Sequence, residues 1–185
     1  DSNRFAKVAV MELVLTRSQL VRWRTAVFAI FLASGLSIAT WASRVPAIKI
    51  ALDVDNIQIG LMLLGAGIAS IAGLSLATVV LARFGARTGM LAAILVFAVG
   101  VALIGVGTDV LHSYAFVVAG LALFGLGNGA VDVMMNVEGA AIEKQVGKTI
   151  LPLFHAFFSF GTVIGAGLGA LAVAVGLNVL VHTSV

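Results

Sequence analysis

The chain has 185 residues, of which 61% are hydrophobic and 10% charged, with a formal net charge of +3 and no cysteine. A soluble globular domain is about one-quarter charged and a disordered chain is poor in apolar residues, so both classes are excluded. Disulfides, thiolate metal sites and cysteine nucleophiles are excluded too, and 11 Lys and Arg in so apolar a chain point to a membrane surface before nucleic acid.

A bilayer core of about 30 Å needs roughly 20 apolar residues per helix. Residues 1–24 are too charged for a span, and their apolar run at 8–15 is too interrupted for a cleaved signal peptide. They are expected to form a cytoplasmic amino-terminal segment. Residues 25–185 are expected to form one transmembrane domain. Span 1 covers about 25–43 and ends at Arg44 and Pro46. It places Ser34, Ser37, Trp41 and Arg44 on one face. Trp41 suits either an interfacial belt or stacking on a sugar ring. Arg44 suits an anionic group, with Asp53 and Asp55 near enough in sequence to neutralise it.

Span 2 covers about 57–82 and is ended by Arg83-Phe84-Gly85-Ala86-Arg87. Span 3, about 88–106, has no polar side chain from Met90 to Val106 and reads as lipid-facing. Span 4, about 114–137, carries Asn128, Asp132 and Asn136 at i, i+4, i+8, which puts a polar stripe on one helical face. An ionisable group within a span is costly, so Asp132 is a functional candidate by default. It exists as acid or carboxylate, which suits a proton carrier. The other reading is an interhelical hydrogen-bond clamp. Glu138 lies off the stripe and reads as a partner for Arg83 or Arg87.

Span 5, about 152–175, opens at Pro152, which costs little at a first helical turn. His155, Ser159 and Thr162 share a face, and Gly161, Gly165 and Gly169 repeat at every fourth position, a helix-packing pattern. A His155–Asp132 contact would move protons or hold a substrate hydroxyl; the other reading is a packing histidine. Beyond Gly176, residues 177–185 reach about 14 Å as helix. That is the start of a sixth span, so a fragment of a longer protein is expected. The fold class is therefore all-α integral membrane, with five spans and part of a sixth. A β-barrel would need alternating segments, which are absent.

Lys and Arg beside the spans fix the expected orientation. Arg4, Lys7, Arg17, Arg22, Arg24, Arg83, Arg87, Lys144 and Lys148 fall on one side, and Arg44 and Lys49 on the other. The amino terminus is expected in the cytoplasm and the chain in the inner membrane. Gly65-Ala66-Gly67 and Gly165-Ala166-Gly167-Leu168-Gly169 imitate a dinucleotide fingerprint. No strand precedes them, so they read as packing glycines. Three scattered histidines give no metal site.

Three segments carry a resemblance: Ala39-Thr40-Trp41-Ala42-Ser43-Arg44-Val45-Pro46-Ala47-Ile48-Lys49, Gly125-Leu126-Gly127-Asn128-Gly129-Ala130-Val131-Asp132-Val133-Met134-Met135-Asn136, and Leu153-Phe154-His155-Ala156-Phe157-Phe158-Ser159. Through them, the chain from about Arg24 onward resembles the amino-terminal half of a major facilitator superfamily transporter. More narrowly, it resembles the bacterial fucose and glucose permease branch. Of that superfamily's signature between spans 2 and 3, Arg83, Gly85 and Arg87 fit. Thr78, Ala82 and Ala86 depart from it, so its aspartate-based charge relay has no counterpart here. Ala166 stands where the antiporter motif has proline, which argues against an antiporter.

The resemblance implies a major facilitator-type bundle in which spans 1 and 4 line the cavity and span 3 lies outside. It implies Asp132 as the proton-coupling residue and Asn136 as a substrate contact. Span 1 has no carboxylate, so coupling in this half rests on Asp132. The function expected is secondary active transport of a small polar solute, a sugar being one candidate, by proton symport. Asn128, Asn136, His155 and Trp41 are expected to bind substrate, and Arg83, Gly85, Arg87 and Glu138 to act at the cytoplasmic loop. The expected partners are solute, protons, the bilayer and a carboxy-terminal half, with no nucleic acid, metal, cofactor or enzyme activity. Two alternatives are a half-protein or fragment that does not transport, and an intramembrane hydrolase using Ser159 and His155.

Overall fold

The computed structural model describes residues 16–184, and among them all regular structure is helical. Arg4, Lys7 and the 8–15 run lie outside the described residues. Six helices follow in order: α1 (Arg17–Ala42), α2 (Val45–Ala51), α3 (Asn56–Asp109), α4 (Tyr114–Val146), α5 (Leu151–Ala174) and α6 (Val179–Ser184). Four helical stretches are long and apolar enough to cross a membrane, α1 running on into α2 in the first of them. The chain is a multi-pass membrane protein.

Local chemistry sets the helix ends. Thr16 and Gln19 form a capping box that starts α1 at Arg17, eight residues before the expected span. Asp55 and Gln58 do the same for α3. Pro46 and Pro152 sit in the first turns of α2 and α5, where their missing N–H is not needed. Glu143 of α4 accepts hydrogen bonds from the N–H groups of Ile150 (2.8 Å) and Leu151 (2.9 Å), capping α5 from outside it. Gly147 ends α4 in the left-handed conformation.

The 54 residues of α3 would reach about 80 Å if straight, far beyond a bilayer. The helix instead folds back at Gly85 (φ 76°, ψ 167°), a conformation essentially limited to glycine. The arms 56–84 and 86–109 therefore run side by side. A Cβ on Gly89 would press on the side chain of Val80, which a continuous helix would hold about 14 Å away.

Both arms pack on α4, and α1 packs on α5. Backbones approach through glycine. A Cβ on Gly125 or Gly129 would overlap the carbonyls of Ala66 or Ser70, and one on Gly161 the carbonyl of Leu32. Gly165 and Gly169 also meet α1 or its end, as the repeat predicts. Gly65, Gly67 and Gly167 do not: open space faces each, so their expected packing role is corrected.

Two apolar clusters form the core. One joins Phe31, Met134, Met135, Ile142 and Phe154; the other joins Ile48, Met62, Ile104, Val117, Leu121 and Phe124. The outside is apolar too. Ile57, Leu61, Leu64, Ile68 and Ile71 of α3 are each more than half exposed, in a stripe at helical spacing. A water-facing helix would put polar residues there; a lipid-facing one does not.

The bundle has two chemically distinct ends. Trp23, Arg87 and Glu138 meet at one, close to the Glu143 cap. At the other, Arg44 donates to the Leu177 carbonyl, Asp109 accepts from the Leu180 N–H, and Tyr114 donates to the Gln58 carbonyl at 3.1 Å.

Candidate functional site

The polar stripe of α4 is present, with Asn128, Asp132 and Asn136 all half-buried. Asn136 Nδ2 donates to the Asp132 backbone carbonyl at 2.8 Å and reaches Asp132 Oδ1 at 3.5 Å. Asn136 thus steadies its own helix, while the Asp132 carboxyl keeps most of its hydrogen-bonding capacity open. His155 lies within electrostatic reach of Asp132 without a hydrogen bond between them. It is exposed on α5, edge-on to Phe31 at 5.2 Å. Ser159 donates to the His155 carbonyl at 3.1 Å and Thr162 to the Ser159 carbonyl at 2.7 Å. The Ser159 hydroxyl is therefore spent on the backbone, and no Ser–His nucleophile pair is formed.

A seam of cavities runs between α1 and the 86–109 arm. The middle cavity, about 380 Å³, is lined by Ser34 and Ser37 of α1, Phe97 and Ala98 of α3, and Asn128 of α4. A second, about 450 Å³, holds Trp23, Arg87 and Glu138. A third, about 370 Å³, holds Ser37, Thr40, His182 and Thr183. Ile30 and Ile94 are shared by the first two, and Ser37, Phe97 and Ala98 by the first and third. Span 3 was expected to lie wholly outside. One face of it carries exposed Leu91, Leu95 and Val99, but another lines this seam.

The structure divides the expected site. Asn128 faces the seam, whereas Asp132 and Asn136 do not line it. A step of four residues turns about 40° past a full helical turn, so a stripe of three spreads over two faces. Trp41 belongs to neither place. Its ring is partly buried, packing edge-on against Phe124 at 5.3 Å beside the second core cluster.

Glu138 was expected to pair with Arg83 or Arg87. Among the described residues its carboxylate instead accepts from Trp23 Nε1, and Arg87 only shares the cavity with it. Arg83 is exposed. Arg44 is not paired with Asp53 or Asp55 among the described residues: it is buried, and one of its nitrogens donates to the Leu177 carbonyl. Sequence reasoning missed the roles of Trp23, Phe97 and His182. Span 3 offered no polar residue to flag Phe97, and nothing near Trp23 or His182 in sequence marks their partners.

Over 150 residues the chain is 33% identical to an uncharacterized MFS-type transporter of Yersinia pestis, covering 81% of this chain and 38% of that protein. Over 166 residues it is 33% identical to an uncharacterized transporter of Sinorhizobium fredii, covering 90% of this chain and 43% of that protein. The chain is a distant homologue of MFS-type transporters. It spans about two-fifths of the length of these relatives. No family description matches the chain, and no solved structure matches it. Among transporters of the MFS type, two packed halves rock about a site near the membrane midplane. The α4 stripe and the middle cavity lie well inside both bundle ends.

Proposed function

We propose that the chain is the amino-terminal half of a secondary transporter that moves a small polar solute together with protons. Asp132 takes up and releases the proton. Asn128, with Ser34 and Ser37 beside it, hydrogen-bonds the solute, and His155 assists from α5. The proposed orientation puts residues 1–24, Arg83, Gly85, Arg87 and the α4–α5 turn in the cytoplasm, in an inner-membrane protein. Gly85 and Arg87 would serve as the turn about which the cytoplasmic end moves. A sugar, as in the fucose and glucose permease branch, is the solute class proposed.

One observation carries this reading. Asp132 is a half-buried carboxylate inside a span, without an ion-pair partner among the described residues and with its side chain only weakly engaged. An intramembrane acid is kept where it is used, since it is otherwise costly. A structural clamp would show its carboxyl bonded across a helix interface, and among the described residues its only side-chain hydrogen bond is within α4.

The test is Asp132→Asn in the full-length protein, reconstituted in vesicles with a pH-sensitive dye inside. Sugar-driven proton entry and uphill uptake are expected to disappear, while exchange of labelled sugar across the membrane persists. Uphill uptake at the unsubstituted rate would remove Asp132 from coupling.

A further inference from the structure

The end of the bundle opposite Glu138 holds an unbalanced charge. Arg44 is only 3% exposed. One of its nitrogens, Nη2, donates to the Leu177 carbonyl, whereas Nε and Nη1 are buried with no partner among the described residues. His182 is 9% exposed, and its Nδ1 is likewise buried and unpartnered. A Cβ on Gly169 would press on Ser43 and lie 3.7 Å from the His182 ring, so that ring sits beside the residue preceding Arg44. Trp41, three residues before Arg44, has a fourth unpartnered nitrogen in its Nε1. Buried donors in native proteins are almost always satisfied, and a buried cation is costly without a counter-charge.

Among the described residues no acid of this end reaches Arg44. Asp55 caps α3 at the Gln58 N–H, Asp109 accepts from the Leu180 N–H, and Asp53 is exposed in the turn after α2. The third cavity reaches His182 and is lined also by Ser37, Thr40, Thr183 and Ser184; the hydroxyls of Thr40, Thr183 and Ser184 donate to backbone carbonyls and keep their lone pairs open.

We propose that Arg44 and His182 form a binding site for a small carboxylate. A guanidinium and an imidazole N–H offer charge-assisted donors suited to a planar oxyanion, and the cavity beside His182, largely apolar with a few hydroxyl oxygens free to accept, takes the remainder of the molecule. The site is separate from Asp132 and does not depend on the transport reading.

The chain has two tryptophans, which makes indole N–H resonances a direct reporter. The protein is labelled with ¹⁵N at the indoles, held in detergent micelles and titrated with sodium acetate, with sodium chloride as the ionic-strength control. The Trp41 resonance is expected to move saturably with acetate. Trp23, bonded to Glu138 at the far end, is expected to stay still. Arg44→Gln is expected to abolish the Trp41 response while leaving Trp23 in place. Should Arg44→Gln fail to fold, Arg44→Lys decides: it is expected to weaken acetate binding by about threefold or more, because a lysine cannot reproduce the guanidinium fork. A non-saturating response, an equal response to chloride, a response retained in folded Arg44→Gln, or unchanged affinity in Arg44→Lys would each overturn the carboxylate site.

Discussion

Trp23 and Glu138 are joined by a hydrogen bond across 115 positions of sequence, and the pairing ties α1 to α4 at the end where Arg87 also sits. A hydrogen bond to a charged group contributes about 1.5–3 kcal/mol when its loss strands the charge. Trp23→Phe is therefore expected to lower stability by about 1–2 kcal/mol, measured by thermal unfolding in detergent. Glu138→Gln keeps an acceptor and is expected to cost less. In the double variant the two losses should not add, because one interaction is removed only once. Simple additivity would mean that Trp23 acts through packing alone. The contact was not legible beforehand, and neither was the Arg44–Leu177 bond, because pairs so distant leave no local pattern. The α4 stripe was legible because Asn128, Asp132 and Asn136 repeat at helical spacing. Its division between two faces was not, since it depends on which neighbour each side of α4 meets.

At the scale of the elements, glycine has two uses that the sequence does not distinguish. Gly161 and Gly167 sit on the same helix, α5. A Cβ at Gly161 would overlap the Leu32 carbonyl of α1, whereas open space faces Gly167. Gly161→Ala must push α1 and α5 apart, and overpacking of this kind costs about 1–3 kcal/mol. Gly167→Ala meets nothing and gains about 0.5–1 kcal/mol from helix propensity. Melting temperatures in detergent should therefore move in opposite directions for the two variants. A shift in the same direction would place the α1–α5 contact elsewhere. Helix type was plain from apolar length, but helix ends were not. The Thr16–Gln19 box carries α1 past Arg22 and Arg24, and α4 continues through Glu138, Glu143 and Lys144 to Val146. Charged residues mark where lipid stops, not where a helix must stop.

The whole molecule is ordered by the asymmetry of its ends. Folding back at Gly85 sets the two apolar arms of α3 side by side, and each is expected to make one crossing. It also brings the turns holding Arg83, Arg87, Lys144 and Lys148 to the same end as the start of α1. The turns holding Asp53, Asp109 and Leu177 collect at the other end. Clusters of Lys and Arg are retained on the cytoplasmic side during insertion, so this partition predicts the orientation. The absence of cysteine from these 185 residues makes the prediction simple to test. Phe84→Cys and Ile50→Cys place single thiols at residues that are 61% and 80% exposed, at opposite ends. In intact cells, a membrane-impermeant maleimide is expected to label Ile50→Cys and to leave Phe84→Cys untouched until the cells are opened. The reverse pattern would invert the molecule and would put Arg44 and His182 in contact with the cytoplasm. Labelling of both in intact cells would mean that the 56–84 arm of α3 does not cross the bilayer.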